Sequence, residues 1–285
     1  MLPPYIQQVR LTWGEHNLAF YGRDTHPDAK HIVTSLNGWW GGVGTKGEDL
    51  TLLGHGSYIS DRKRESRAIT LEATMIYRSD EERRVASRYV SGVLGSGASG
   101  TLTTDADGVT LSTEVFLEGS VSHEFVGQNA IRVQIPMTAP DPRLYAEPRT
   151  YQLYPAGFGE GLEYPPFSTD GVLTYGNSVP TSKIAIKNNG NFEAFPKFII
   201  KGTFPSGIRL TEGSRVVEFP VAIFPQTPVV VDMRGSVTLR GDDQSYLLTR
   251  RDWFSAPPGG TIQPRITALQ QGDGWADVEL SDTYI

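Results

Sequence analysis

The chain reads as a mainly β protein of two domains with one α-helix. Three observations predict this. Many short Val, Ile, Thr, Tyr and Phe runs are punctuated by 31 glycines and 19 prolines, a composition that suits strands and turns. One stretch, Arg67 to Leu94, joins a clear strand directly to the only convincing long helix. Near the middle, Pro136, Pro140, Pro142 and Pro148 crowd together, which no central strand or helix tolerates. The boundary is expected there, giving domains 1–147 and 148–285. With 285 residues the chain has enough length for a sizeable core in each.

In chain order, Gln7, Val9, Leu11 and Trp13 alternate as a first strand, and Asn17 to Tyr21 returns after Gly14-Glu15. His31 to Leu36 is a further strand, ended by the turn pair Asn37-Gly38. The next two dozen or so residues, with six glycines, Trp39 and Trp40, are too long for a routine connection and point to a functional or disordered segment. Trp39, Trp40, Leu50, Leu52 and Leu53 either meet a partner surface or cover the domain's own core. Ile69, Leu71, Ala73, Met75 and Tyr77 then alternate as a strand. Ser79 and Glu82 have capping-box spacing, and Asp80 to Glu82 complement the helix dipole. Val85, Ala86, Tyr89, Val90, Val93 and Leu94 predict an apolar stripe, with Arg83, Arg84 and Arg88 on the other face and Gly95 as the stop. Those arginines either meet a neighbouring subunit's acids or form a solvated face.

Gly95 to Gly108 reads as a flexible segment, followed by strands at Val109 to Leu117 and Ile131 to Met137 with His123 and Glu124 in the connection. The first half is therefore expected to be a β-sandwich or split barrel with one helix. After a loose stretch from Tyr154 to Asn177, short strands recur every eight to twelve residues: 183–187, 197–203, 216–219, 228–233, 237–240, 261–269 and 275–280. That spacing predicts an antiparallel β-sandwich.

Chemical motifs are sparse. The chain has no cysteine, which removes thiol catalysis, disulfides and the usual structural zinc ligands. Its net charge of -6 is spread evenly, with 15 basic and 18 acidic side chains in residues 1–150, so nucleic acid binding is not expected. No apolar run approaches a membrane span, and the start lacks the zones of a signal peptide. Gly42 to Gly47 and Gly95 to Gly100 both fit G-x-G-x-x-G, but neither lies between a strand and a helix as a dinucleotide site requires. The five histidines are scattered without ligand spacing, so no metal or other cofactor is expected. Glu114, Glu118, Asp232 and Asp277 are available for glycoside hydrolysis, though nothing in the sequence pairs them. Tyr246, Trp253 and Trp275 either form a platform for sugar rings or belong to the core.

Several local features recur together. They are Gly38-Trp39, His55-Gly56, Arg67-x-Ile69-x-Leu71 leading into strand and helix, and Ala139-Pro140-Asp141-Pro142-x-x-Tyr145 at the boundary. In the second half they are Asn188-x-Gly190 followed by Pro196 and a β run, a strand ending at Asp232, and Trp253 ahead of Pro258-Gly259. This order resembles the distal tail (Dit) proteins of long-tailed bacteriophages, over most of the chain. The resemblance implies a non-enzymatic virion protein, assembled in the host cytoplasm, that forms a ring, usually of six, at the distal end of the tail tube. It implies an N-terminal ring-forming domain with one helix and an extended loop, and a C-terminal galectin-like sandwich. Tail tube and tail-tip proteins are the implied partners. The alternative is a carbohydrate-binding module at the tail tip. Gly41 to Gly47 departs from the family's pattern.

Overall fold

The computed structural model describes residues 5–23, 29–47, 49–51, 57–59, 61–155 and 183–285, with backbone alone for 49–51 and 57–59. The chain divides into two compact units, residues 1–147 with Tyr284 and Ile285, and residues 148–283. Each has its own hydrophobic core.

The first unit contains β1 (Ile6–Trp13), β2 (His16–Tyr21), β3 (His31–Asn37), β4 (Thr45–Lys46), β5 (Asp49–Thr51), β6 (Ser57–Ile59), β7 (Lys63–Arg64), β8 (Arg67–Ile76), α1 (Asp80–Ser91), β9 (Ser99–Ala106), β10 (Val109–Leu117), β11 (Ser122–Val126), β12 (Ala130–Ala139) and β13 (Leu144–Ala146). Hydrogen bonding runs β11-β12-β8-β3-β2-β1-β9-β10-β13, and β12 also pairs with β10, so seven strands close on themselves. The closure is uneven. β8 and β12 are paired along their whole lengths, whereas β2 and β3 meet in parallel at one pair, Tyr21 with Ile32, and β10 meets β12 at two. Pro136, expected to exclude a central strand, lies within β12 opposite Thr70; its carbonyl accepts from the Glu118 amide, so its missing N–H faces the place where the neighbour of β12 changes from β11 to β10 and no bond to β8 is lost. The unit is therefore a split barrel of two sheets joined by thin seams. Alternate residues Ile69, Leu71, Ala73 and Met75 of β8 and Ile131, Val133, Ile135 and Met137 of β12 fill its interior, as period-two patterning dictates.

Two segments differ from the sequence reading. Gly95 to Gly108 is not a flexible connection: β9 occupies most of it, paired with both β1 and β10. Its inward positions are Gly100, Leu102, Thr104 and Ala106, of which only the leucine is a large apolar residue. A larger residue does not fit at Gly100, where a Cβ would lie 2.6 Å from Leu94 Cδ2 and 2.8 Å from the Thr12 carbonyl. His123 and Glu124 belong to a strand, β11, rather than a connection.

The second unit contains β14 (Arg149–Leu153), β15 (Ile186–Lys187), β16 (Lys197–Thr203), β17 (Ile208–Glu212), β18 (Arg215–Phe219), β19 (Val229–Asp232), β20 (Ser236–Leu239), β21 (Asp242–Asp243), β22 (Arg250–Arg251), β23 (Thr261–Ile262), β24 (Arg265–Ala268) and β25 (Asp273–Leu280). They form a six-stranded sheet, β14-β25-β16-β19-β20-β21, and a four-stranded one, β22-β18-β17-β24, with β15 and β23 paired separately. Phe198, Ile200, Ala276 and Val278 from the first sheet and Leu210, Val217, Phe219 and Ile266 from the second share one core. This is an antiparallel sandwich. The expected strand at 261–269 is two strands, because Pro264 interrupts it, and β14, β17 and the two-residue β21 and β22 lie outside the strands expected from the sequence.

One buried side chain knots the sandwich. Asn188, wholly inaccessible, donates to the carbonyls of Phe192, Ala256 and Pro257 and accepts from the Gly190 and Thr283 amides. Gly190 has no room for a side chain, since a Cβ there would sit 1.9 Å from the Thr283 carbonyl oxygen. The Asn188-x-Gly190 pattern thus has a steric and a hydrogen-bonding cause. Asn188→Ala leaves those backbone groups unpaired in the interior, and we expect it to lower stability by about 3 kcal/mol, read as a fall in denaturant midpoint with an unchanged slope.

Candidate functional site

Arg67 opens β8 at an inward position, two residues before Ile69, and is 2% exposed. No carboxylate meets its guanidinium among the contacts described. Instead Nη1 donates to the carbonyls of Gly38 (2.9 Å), Trp39 (2.9 Å) and Gly41 (3.1 Å), and Nε donates to Pro142 (2.8 Å). Nη2 is buried without a partner among the described residues. Burial, and secondarily the charge of Arg64, hold the Arg67 pKa below its ordinary value. The clamp demands a tight turn. Gly38 supplies it at φ +79°, where a Cβ would come within 1.9 Å of the Ala68 carbonyl oxygen.

Trp39 and Trp40 are divided by this turn. Trp39, expected either on a partner or in the core, is 1% exposed and belongs to the barrel core, whereas Trp40 is 36% exposed. From here the chain leaves as a two-stage antiparallel ribbon, β4 with β7 and then β5 with β6. Arg64 Nη1 donates to the Val43 carbonyl and the Glu65 amide to Gly44, tying the base of the ribbon. Leu50 is a backbone position in β5. Leu52, Leu53 and the His55-Gly56 pair lie outside the described residues.

The helix begins as its sequence directs. Ser79 Oγ accepts from the Glu82 amide, and the Glu82 carboxylate accepts from Arg78 N rather than from the cap itself. It ends earlier than expected, at Ser91 with Gly92 as cap, and its buried face is narrower. Ser87, Val90, Val93 and Leu94 are buried, but Val85 is 61% and Tyr89 40% exposed. The three arginines diverge. Arg83 pairs with Asp80, donates to the Gly127 carbonyl and lies 4.5 Å over the Phe125 ring. Arg84 pairs with Asp80 across one turn at 2.8 Å but stays 70% exposed, and Arg88 is exposed in the last turn. Ser87 Oγ and His123 Nε2, 2.9 Å apart, join α1 to β11.

The exposed apolar side of α1 faces an open groove of about 800 Å³. Val85, Ala86 and Tyr89 line one wall, His31 and Tyr77 another, and Glu81 and Glu82 stand on the lining with Lys30. Burial, reinforced by the charge of Glu82, pushes the Tyr77 hydroxyl up to about 12. Burial also lowers the His31 pKa, against the stabilising contact of its Nδ1 with the Ala19 carbonyl at 3.2 Å; Lys30 lowers it further. Beyond Tyr89 the rings continue, with His16 at 5.9 Å and Trp13 at 6.0 Å between centroids.

The second unit does not assemble its three aromatic candidates. Trp275 Nε1 donates to Asp277 Oδ1 (3.1 Å), whose other oxygen takes Lys201 Nζ at 2.6 Å. Trp253 packs against the core, and Tyr246 is 69% exposed in a 3-10 turn with its hydroxyl on Gln244. No ring contact joins any two of them among the described residues. The carboxylates are equally dispersed: Asp232 is paired with Arg234 and Asp277 with Lys201, while Glu114 and Glu118 are exposed in the other unit. The Asp232 pKa is lowered, despite burial, by hydrogen bonds and charge from Arg234, with a smaller effect of Lys197. Among the described residues no group of three or more His, Cys, Asp or Glu is placed to hold a metal ion, and no helix is long and apolar enough to cross a membrane.

Solved structures share this order, a split barrel with one helix followed by an antiparallel sandwich, over nearly the whole chain. The structure of SPP1 Dit, described as a hub of the adsorption apparatus in phages that infect Gram-positive bacteria, matches with a TM-score of 0.64 at 12% identity, over 97% of this chain and 99% of that one. A chain of the phage P2 baseplate in its activated, calcium-bound conformation matches with a TM-score of 0.54 at 12% identity, over 98% of each. The chain thus has a Dit-like fold. No protein-family model and no curated protein sequence matches it.

Sequence reasoning missed Arg67 as the anchor, although its place in the Arg67-Ile69-Leu71 alternation already pointed it inward. Arg67→Met removes every donor of the clamp and leaves the carbonyls it served unpaired. It should cost the first unit about 3 kcal/mol, with tryptophan emission moving to longer wavelength as Trp39 loosens. A second effect is set by pH. The unfolded chain protonates His31 at its ordinary 6.5, the folded one only lower, so protons bind preferentially to the unfolded state. Stability of the first unit should fall as pH drops through 6.5, and His31→Gln should flatten that part of a chemical-denaturation series.

Proposed function

We propose that this protein is a structural component of a bacteriophage tail tip, acting as a Dit-like hub. In this reading the first unit assembles into a ring of six at the distal end of the tail tube, and the second, a galectin-like sandwich, faces outward. The ring joins the tube to the baseplate or tip proteins that recognise the host. It requires no cofactor, catalyses no reaction, and resides in the virion. The observation that carries this is the match of both units, in one chain and in one order, to SPP1 Dit across nearly all of each protein. The ribbon rooted on Arg67 and the exposed apolar flank of α1 supply surface for contacts between copies, and a symmetric ring is how a heterologous contact closes. Glycan binding by the sandwich is a second reading with less support. Only Trp275, beside Asp277 and Lys201, stands with polar groups on a sheet face, and its companions Trp253 and Tyr246 lie on other elements. Electron microscopy and native mass measurement of the purified protein test the main proposal: a six-copy ring with a central opening is expected. A monomer at all accessible concentrations, alone and with tail tube protein present, overturns it.

A further inference from the structure

We infer that the second unit carries a binding site for a sugar bearing a carboxylate, at one end of its four-stranded sheet. The site lies on the other sheet from Trp275 and uses none of the aromatic residues considered above. Alternation places its side chains. Ile262 and Pro264 are buried, so Thr261, Gln263 and Arg265 project from one side of the extended run that joins β23 to β24. Arg265 is paired with Thr211 in β17, and the end of that strand brings Glu212 and the Gly213 turn to the same place. These six residues line an open cavity of about 450 Å³, within the range of about 300–1,000 Å³ usual for small-ligand sites.

The lining is polar throughout, and its hydrogen-bonding groups are left open. Elsewhere on the same sheet the arginines are engaged: Arg209 with Glu218, Arg250 with Asp252, and Arg215 and Arg251 with the carbonyls of Trp253 and Tyr246. Arg265, by contrast, meets no acceptor among the described residues, and the Thr211 and Thr261 hydroxyls and the Gln263 side-chain amide have no partner there either. Glu212 is held in place, one carboxylate oxygen accepting from the Gln263 backbone N–H at 2.9 Å and the other left to accept. Such a set suits a ligand that is itself dense in hydroxyls, because each hydroxyl both donates and accepts. A guanidinium without a carboxylate partner selects for an anionic group, and its forked edge matches a carboxylate. With no aromatic ring to stack on, a single site binds weakly. Its use at a tail tip therefore rests on the ring reading, in which several copies act together.

Saturation-transfer NMR on the full chain tests the assignment with glucuronate, galacturonate and mannuronate, each beside its parent hexose. At least one hexuronate should bind, about tenfold or more tighter than the hexose that lacks its carboxylate. Arg265→Gln should reduce the affinity for that hexuronate to the level of the hexose, whereas Glu212→Gln should weaken the two alike. Arg265 is exposed and Glu212 half-buried, so the melting temperatures of both variants should stay near that of the wild type. If no hexuronate binds, if the parent hexose binds as well, or if Arg265→Gln leaves the hexuronate affinity unchanged, the assignment is overturned. Each of these results is independent of ring formation, so the tail-hub reading stands or falls separately on the mass of the assembled particle.

Discussion

The first unit depends on one buried cation satisfied by carbonyl oxygens. An arginine removed from water is normally matched by a carboxylate, but Arg67 gathers four backbone oxygens instead. Those oxygens belong to segments far apart in sequence, the turn after β3 and the proline-rich stretch before β13. Loss of any one of these carbonyls weakens the hold on the others. Through this single side chain the chain is made to turn at Gly38, bury Trp39 and leave the barrel as a ribbon. The Asp141-Arg143-Tyr145 cluster next to Pro142 reinforces the same corner, with Arg143 and Tyr145 both donating to the Asp141 carboxylate.

How much of this was legible in the sequence follows from the physics of each element. The strand β8 and the start of α1 were readable because local chemistry alone decides them, namely alternation and a serine cap. The burial of α1 was not. Its repeat is correct for a helix, yet a cylinder lying on a curved barrel touches it along a narrow strip, and here that strip passes through Ser87 and Val90 instead of Val85 and Tyr89. Hydrophobicity says which residues prefer burial; the neighbouring surface chooses among them. β9 was hidden for the opposite reason, since space at Gly100 excludes the side chains by which strands are usually recognised.

The same division applies to the candidate contacts. Grouping Trp39 with Trp40 treated two adjacent aromatics as one surface, but a glycine at positive φ just before them sends the first inward and leaves the second partly in solvent. Grouping the three arginines of α1 likewise concealed three environments: a cation over Phe125, a solvent-exposed ion pair, and a charge near the negative end of the helix. In the sandwich, Asn188-x-Gly190 carried a legible pattern whose cause appeared only in three dimensions. It saturates an amide side chain in a space where Thr283 passes too closely for any Cβ.

The thin seam between β2 and β3 has a consequence for how the barrel breathes. Tyr89 of α1 contacts His16 at the start of β2 and shares the groove with His31 at the start of β3, so the helix bridges a junction that the backbone closes at one residue pair. Local openings follow the least expensive route. Amides flanking this junction will therefore exchange with deuterium well ahead of those in the β8–β12 ladder, and anything that presses α1 onto the barrel will slow them.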